Sequence, residues 1–138
     1  MRGVFRTAGH GADCRLLFYA DTPEEVFRLA ARAVAASGRH GDAAPEPQSG
    51  ERVVLEATDL ATLLADWVNE LIARSEIAGR PIECKAVQLD SYPTAFRLTA
   101  EVGAARGSWR PHLKAATFHN LVFERRGRRW HAAVVCDL

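Results

Sequence analysis

Apolar residues recur along the chain with helical spacing in two places, and the second of these is the clearer. An unbroken stripe of three- and four-residue steps is formed by Leu60, Leu63, Leu64, Trp67, Val68, Leu71 and Ile72. This spacing puts all seven side chains on one face of a helix, where they are expected to form core. Thr58 or Asp59 can cap the start of the helix, and Gly79-Arg80-Pro81 can end it.

An earlier helix is marked by its start signals. Thr22 can serve as N-cap, Pro23 suits the first helical position and Glu25 completes a capping box. The apolar residues that follow at helical spacing are Val26, Leu29, Ala30, Ala33 and Val34. Gly38 is a natural stop. Residues 39–50 contain glycines and prolines and little apolar character, which predicts a loop.

Elsewhere the period of two predicts strands. Polar residues alternate with Phe96, Leu98, Ala100 and Val102, as in a half-buried antiparallel strand. Further strands are predicted at the N-terminus, around Leu16-Leu17-Phe18, and at 53–55, 117–124 and 130–136. The arginine-rich residues 125–129 are assigned to the hairpin turn between the last two. The expected fold class is α+β, a mostly antiparallel sheet packed against two main helices as a two-layer sandwich.

Composition supports one folded domain over residues 1–138. The chain is 48% hydrophobic and 25% charged, values near the globular average. Its net charge of +1, from 18 basic and 17 acidic residues, excludes broad electrostatic attraction to nucleic acid. No uncharged apolar run approaches the roughly 20 residues that span a bilayer, and the N-terminus lacks a secretory apolar region. A cytoplasmic protein that contacts no membrane is expected.

No motif of high specificity for catalysis is present. Phosphate-binding glycine loops, HExxH and the GxSxG elbow are all missing from the sequence. Cys14, Cys84 and Cys136 are odd in number and far apart, so they form neither a disulfide framework nor a CxxC metal site. Three buried thiols are expected. Any site must therefore come from looser groups of residues.

The first such group is the turn His10-Gly11-Ala12-Asp13. Gly9 and Gly11 permit a sharp bend, and a His and an Asp on a tight turn suit a metal or an acid–base site. Alternatively, Asp13 accepts hydrogen bonds from nearby backbone amides in an Asx-turn.

The second group is at the C-terminus. Asp137 lies beside the α-carboxylate of Leu138 at the end of an apolar strand. Two adjacent negative groups repel unless a cation or a basic side chain holds them. If Asp13 lies close by, three oxygen-bearing groups converge, as Ca²⁺, Mg²⁺ or Mn²⁺ prefers. The alternative is a salt bridge from Asp137 to an arginine.

Two further candidates are weaker. Lys114 enters a predicted strand that also contains His119, and it could pair with carboxylates or hold a phosphate. An ordinary exposed lysine and a strand histidine with satisfied hydrogen bonds are the alternatives. The turn 125–129 could grip phosphates or an acidic surface, or serve as a solvated, solubilising turn.

Together, four segments resemble the archease family in order and separation over almost the whole chain. They are His10-Gly11-Ala12-Asp13, Leu64-Ala65-Asp66-Trp67-Val68-Asn69-Glu70-Leu71, Lys114-Ala115-Ala116-Thr117-Phe118-His119, and the final strand from Trp130 to Asp137-Leu138. The resemblance implies an α+β fold and a non-catalytic accessory role to RtcB-type RNA ligases in tRNA splicing and RNA repair. Such a protein promotes guanylylation of the ligase's histidine and multiple turnover.

The resemblance also implies the functional residues. The family's metal-binding acids fall on Asp13 and Asp137, with the final carboxylate on Leu138, and its required lysine falls on Lys114. The implied cofactor is a divalent cation, Ca²⁺ first, with Mg²⁺, Mn²⁺ or Zn²⁺ as alternatives. The sequence departs from the family pattern at four positions: Gly11, Cys14, Arg15 and Phe118.

Two other functions stay open. A small metal-dependent phosphohydrolase would use the same acids, with His10 or His119 as base. In a chaperone, or a modulator of a tRNA-modifying enzyme, a bound metal would be incidental to the function. In the favoured interpretation the partner is an RtcB-type ligase, and the protein contacts RNA only indirectly, through that ligase. The sequence does not determine the oligomeric state.

Overall fold

A computed structural model describes residues 3–41 and 50–138, except for the side chain of His10. Within these ranges there are two helices, α1 (Pro23–Gly38) and α2 (Leu60–Ala78). The strands in the same ranges are β1 (Val4–His10), β2 (Asp13–Ala20), β3 (Arg39–His40), β4 (Glu51–Ala57), β5 (Ile82–Ser91), β6 (Phe96–Ala104), β7 (Ser108–Trp109), β8 (Ala115–Ala116), β9 (Val122–Arg126) and β10 (Arg129–Asp137).

The strands form two main sheets with antiparallel pairing. One sheet has the order β1-β2-β10, and β8 and β9 pair with different parts of β10. The other has the order β4-β6-β5, and β3 pairs with β7 in a short ladder. The predicted α+β class with mostly antiparallel strands is confirmed. The division of the strands between two sheets was not predicted.

Both helices pack against strands of both sheets, which explains their extensive apolar surfaces. The α1 helix contacts β2 and β5, and α2 contacts β8 and β4. The predicted apolar stripe of α2 is buried from Leu63 to Ile72, and the indole N–H of Trp67 donates to the carbonyl of Phe27 on α1 at 2.9 Å. This bond satisfies a buried donor and joins the helices. Neither described helix is long and apolar enough to cross a membrane.

The ends of the helices follow the predicted signals. The Thr22 hydroxyl accepts from the Glu25 amide at 3.2 Å, with Pro23 in the first turn. At α2 the cap is Asp59, whose carboxylate accepts from the Thr62 amide at 2.7 Å. Gly79 ends α2 in the left-handed conformation, at φ 62°. Capping groups of this kind satisfy amides that a helix leaves without partners.

The prediction for 117–124 is wrong in its first part. Residues 117–121 form a turn, with Asn120 at φ 54°, and the strand begins only at Val122. The hairpin turn is also shorter than predicted, because β9 and β10 extend into the arginines and leave 127–128 between them. Apolar residues at both ends of this segment suggested one continuous strand, but a local pattern carries no information about where strand pairing begins.

Two other segments differ from expectation. Strand β5 was not predicted, since a bulge between Cys84 and Ala86 interrupts its alternation. Within the predicted loop 39–50, residues 39 and 40 pair with β7 instead of being irregular. Residues 42–49 of that loop lie outside the described residues.

Gly38 ends α1 as predicted, but close packing explains why a glycine is needed. A Cβ atom here would lie 2.2 Å from Nε1 of Trp109 and 2.6 Å from the carbonyl oxygen of Arg110. The Trp109 indole donates to the Val34 carbonyl at 3.3 Å, and the Arg110 amide donates to the Gly38 carbonyl at 2.8 Å. The end of α1 and the β7 segment therefore meet without room for a side chain.

We expect Gly38→Ala to lower the free energy of unfolding by about 2 kcal/mol, because overpacking of this kind typically costs 1–3 kcal/mol. Urea unfolding followed by circular dichroism would measure it. Gly50→Ala is the matched control, since its Cβ would meet only the Lys85 ammonium at an ordinary 3.7 Å. Equal stability of Gly38→Ala and the unaltered protein would contradict the packing argument.

Candidate functional site

The hairpin between β1 and β2 positions the first acidic residue. His10 and Asp13 are paired across it, and Gly11 and Ala12 form the two-residue turn. Gly11 has φ 59°, a left-handed conformation that glycine adopts without the strain a side chain brings. The predicted tight turn is confirmed. The side chain of His10 lies outside the described part of the chain, so its accessory role stays a prediction.

Asp13 and Asp137 lie directly opposite each other on β2 and β10. The Leu138 amide donates to the Ala12 carbonyl at 2.9 Å, and the Asp137 carbonyl instead accepts from the Lys114 amide at 2.8 Å. The aspartates are thus a pair without mutual backbone hydrogen bonds, in which Cβ atoms lie about 4.5–5.5 Å apart. Both carboxylates project from the same exposed face.

No described side chain bonds to these two carboxylates. Within 3–41 and 50–138, excluding the His10 side chain, neither carboxylate accepts a hydrogen bond or forms an ion pair. The Asx-turn for Asp13 and the arginine salt bridge for Asp137 are therefore not found there. Two aspartates at this separation repel each other and favour a bound cation.

The oxygen ligands present at this pair suit a hard divalent cation but are too few to complete its coordination. No group of three or more His, Cys, Asp or Glu side chains able to hold a metal occurs among the described residues. Asp13 and Asp137 supply carboxylate oxygens, and Leu138 is held next to them by its bond to Ala12 and by packing against the core. Oxygen donors are those that Ca²⁺, Mg²⁺ and Mn²⁺ prefer, and further ligands would have to complete the coordination.

Asn69 fixes the segment on the other side of the pair, a role that the sequence analysis missed. Its side-chain oxygen accepts from the Ala116 amide at 2.7 Å, and its side-chain nitrogen donates to the Ala116 carbonyl at 3.2 Å. The Thr117 amide then donates to the Val135 carbonyl at 2.8 Å. The signal in the sequence was an asparagine, a weak helix former, in the middle of an apolar helix.

Lys114 and His119 lie on either side of this anchored segment. Lys114 is exposed and its backbone bonds to Asp137, but it is not among the described residues that line the adjoining concavity. His119 is exposed in the turn and does line the concavity. The alternative that placed His119 in a strand with satisfied hydrogen bonds is wrong, because the strand begins later.

The concavity between this turn and the sheet has a volume of about 370 Å³. Its polar lining includes Asp13, Asp137, Arg15, Thr117, His119 and Asn120. Arg15 was noted in the sequence only as a departure from the family pattern and was not predicted to be part of a site. Because side chains alternate along a strand, residue 15 shares the face of residue 13, and that was the available signal.

The opposite face of the same two strands is core. Cys14 and Cys136 are directly paired and buried. Burial, with smaller contributions from Cys14 and Asp137, raises the pKa of Cys136 from 9.0 to about 12, and burial also raises that of Cys14. Cys84 is only half-buried, so the expectation of three buried thiols is wrong for that residue.

The arginine turn and a second groove offer no comparable site. Arg125 donates to the Gly127 carbonyl at 3.0 Å and Arg126 pairs with Glu124 at 2.5 Å, as expected of a solvated turn. A groove of about 370 Å³ also lies between α2 and the three-stranded sheet. There Arg74 pairs with both Glu51 and Glu70, so each of these charged side chains already has a partner.

Comparison with known proteins identifies the family. Residues 5–138 match the model of the Archease protein family (MTH1598/TM1083). This chain belongs to the archease family. An archease of Methanopyrus kandleri is 33% identical over 137 residues, covering 94% of this chain and 95% of that protein. An archease of Methanosarcina mazei is 30% identical over 149 residues, covering 94% and 92%.

Solved structures of archeases share the fold. The solution structure of protein 1598 of Methanobacterium thermoautotrophicum has a TM-score of 0.80 at 26% identity, covering 97% of this chain and 98% of that one. A crystal structure from Thermotoga maritima, described as an archease and possible chaperone, has a TM-score of 0.63 at 19% identity and covers 96% of each chain.

We expect Asn69→Ala to lower the free energy of unfolding by about 2 kcal/mol, since it leaves the part-buried amide and carbonyl of Ala116 without these partners. Hydrogen exchange at the amides of Ala116 and Thr117 should accelerate more than exchange in β6. Asn69→Asp keeps an acceptor for the Ala116 amide, so its exchange rates should lie between those of Asn69→Ala and the unaltered protein. Unchanged exchange at Ala116 would contradict the anchoring role.

Stability should also fall at alkaline pH because of Cys136. Its pKa is higher in the folded state, so between pH 9.0 and about 12 the unfolded chain loses this proton and the folded chain keeps it. The free energy of unfolding of the unaltered protein should therefore fall more steeply than that of Cys136→Ala, by up to about 1.4 kcal/mol per pH unit. Urea titrations across this range would measure both slopes.

The matched variant Cys84→Ala keeps the Cys136 thiol. Burial also raises the pKa of the Cys84 thiol, but by less than that of Cys136, so this variant should keep most of the steeper slope. Parallel pH profiles for Cys136→Ala and the unaltered protein would show that the buried thiol does not contribute.

Proposed function

We propose that this archease chain is a non-catalytic, metal-binding accessory protein of an RtcB-type RNA ligase, acting in tRNA splicing and RNA repair. It promotes guanylylation of the ligase's active-site histidine and multiple turnover. The observation that supports this is the exposed pair Asp13 and Asp137, whose carboxylates have no hydrogen-bond or ion-pair partner among the described residues. Membership of the archease family supports the accessory role.

In this proposal Asp13, Asp137 and the carboxylate of Leu138 hold one divalent cation. Ca²⁺ is the first choice, with Mg²⁺, Mn²⁺ or Zn²⁺ as alternatives. A bound cation supplies neutralisation of phosphate charge, which is the effect that guanylyl transfer requires. The register of β2 and β10 holds the aspartates opposite each other before a cation binds, so little reorganisation is needed.

Lys114 is the proposed second contributor. Its backbone bond to Asp137 keeps its Cα beside the acidic pair, while its exposed side chain is free to extend towards a docked partner. An ammonium group on a flexible stem can neutralise phosphate without fixed geometry. RNA is met through the ligase, in keeping with the net charge of +1.

Two other functions each have one supporting observation. The Thermotoga maritima archease is described as a possible chaperone, which supports a chaperone, the class that also includes a modulator of a tRNA-modifying enzyme as a narrower proposal. His119 lies in the concavity with the aspartates, which supports a metal-dependent phosphohydrolase with a histidine base.

We expect this chain to stimulate GTP-dependent guanylylation of an RtcB-type ligase, preferably the ligase from its own source. Asp13→Asn and Asp137→Asn should each reduce the stimulation by about 10-fold or more, because loss of a charged ligand weakens metal binding. Asp90→Asn is the matched control, on β5 of the other sheet. The readout is radiolabelled GMP bound covalently to the ligase.

Each alternative predicts a different result. Full stimulation by both aspartate variants would overturn the metal-dependent role and favour the chaperone. Hydrolysis of a phosphate monoester by the isolated protein, lost in His119→Ala, would favour the phosphohydrolase.

A further inference from the structure

Arg15 faces the concavity without an acidic partner. It lies on β2 two residues after Asp13, on the same side of the sheet. Its cross-strand neighbours are Ala8 on β1 and Val135 on β10, and neither can accept a side-chain hydrogen bond. Within the described parts of the chain, no hydrogen bond or ion pair to Arg15 is found, although two aspartates line the same concavity.

The opposite wall of the concavity carries polar groups. The turn that follows β8 presents Thr117, His119 and Asn120. Its position is fixed by the bond from the Thr117 amide to Val135 and by the two bonds between Asn69 and Ala116. Asn120 has φ 54°, a conformation that is uncommon away from glycine and that asparagine tolerates. These groups are therefore held facing the arginine.

The concavity thus combines two kinds of charge. The aspartate pair attracts a cation, while a guanidinium group presents several donors in a plane that suits the oxygens of a phosphate. A phosphate placed between a bound cation and Arg15 would contact positive charge on both sides. A volume of about 370 Å³ admits a phosphate group with part of the molecule that carries it.

We propose that the concavity binds a divalent cation and a phosphate group together, the cation on Asp13 and Asp137 and the phosphate on Arg15. Asn120 and His119 line the phosphate side. This rests on the metal-binding part of the proposed function and adds an anion subsite built on Arg15. The phosphate belongs either to a nucleotide or to an RNA terminus, which share the chemistry that Arg15 recognises.

Joint binding has a measurable consequence. If the two sites interact, phosphate raises the affinity for the cation, and the cation raises the affinity for phosphate by the same factor. Coupling between sites is typically about 5- to 150-fold. Removing the guanidinium should abolish the coupling and leave the carboxylates that bind the cation in place.

The experiment is calorimetric titration of the full chain with Mg²⁺, in the absence and presence of methyl phosphate, a 3′-phosphorylated dinucleotide or GTP, each corrected for its own Mg²⁺ binding. We expect at least one phosphate probe to raise the affinity for Mg²⁺ about 5-fold or more. The probe with the largest effect distinguishes the nucleotide from the RNA terminus.

Two variants test the assignment to Arg15. Arg15→Gln should lose the coupling, and without phosphate it should bind Mg²⁺ at least as tightly as the unaltered protein, because a positive charge near the aspartates is removed. Arg6→Gln is the matched control and should keep both properties. Arg6, opposite Leu17, lies on the same face of the sheet as Arg15 but does not line the concavity. Coupling that survives in Arg15→Gln, with its fold confirmed by circular dichroism, would overturn the assignment.

The remaining outcomes separate this inference from the proposed function. Mg²⁺ binding without coupling in the unaltered protein would overturn the joint site and leave the accessory role intact. No Mg²⁺ binding under any condition would overturn the joint site. If Ca²⁺, Mn²⁺ and Zn²⁺ also fail to bind in the same titration, the metal-binding part of the proposed function is overturned as well.

Discussion

The pairing of β2 with β10 is the constraint on which the rest of the candidate site depends. It joins the beginning and the end of the described chain in one ladder, with Leu16 opposite Val134 and Asp13 opposite Asp137. The core face of both strands is fully buried at Leu16, Phe18 and Val134. A shift of one residue would turn these side chains to solvent, so burial fixes the register. The opposition of the two aspartates follows from apolar packing on the other face.

Helix α2 fixes the position of the other wall of the site, the turn that follows β8. Its apolar stripe packs in the core, and two of its side chains donate or accept specific hydrogen bonds: the Trp67 indole bonds to the carbonyl of Phe27, and the Asn69 amide bonds to both backbone groups of Ala116. The short strand β8 has few backbone partners of its own. A side-chain amide that mimics a neighbouring strand satisfies the orphan groups and holds the following turn in place.

The two faces of the β2–β10 ladder have opposite chemistry at adjacent residues. Cys14 and Cys136 are buried on one face, and burial raises the pKa of both thiols so that they remain neutral. Asp13, Asp137 and Arg15 are exposed on the other face. Alternation along a strand keeps these groups apart, so charged groups can occupy a rigid part of the core sheet without being desolvated.

The sequence by itself determined the two helices, their caps, the α+β class and the glycine turn before Asp13. These features depend on local spacing and local hydrogen bonds, as at Thr22 and along the stripe through Trp67. It also identified Asp13, Asp137 and Lys114 as candidates, through the order of short motifs.

Tertiary structure alone decided where strand pairing begins and ends and which side chains meet. The turn at 117–121 replaces a predicted strand, and Asn69 acts on a residue far along the chain. Gly38 is required by an indole that arrives from β7. Arg15 became part of the site only when the ladder placed it beside short apolar neighbours and opposite an anchored turn. Contacts between distant segments depend on the packing of the whole core, and no local pattern records them.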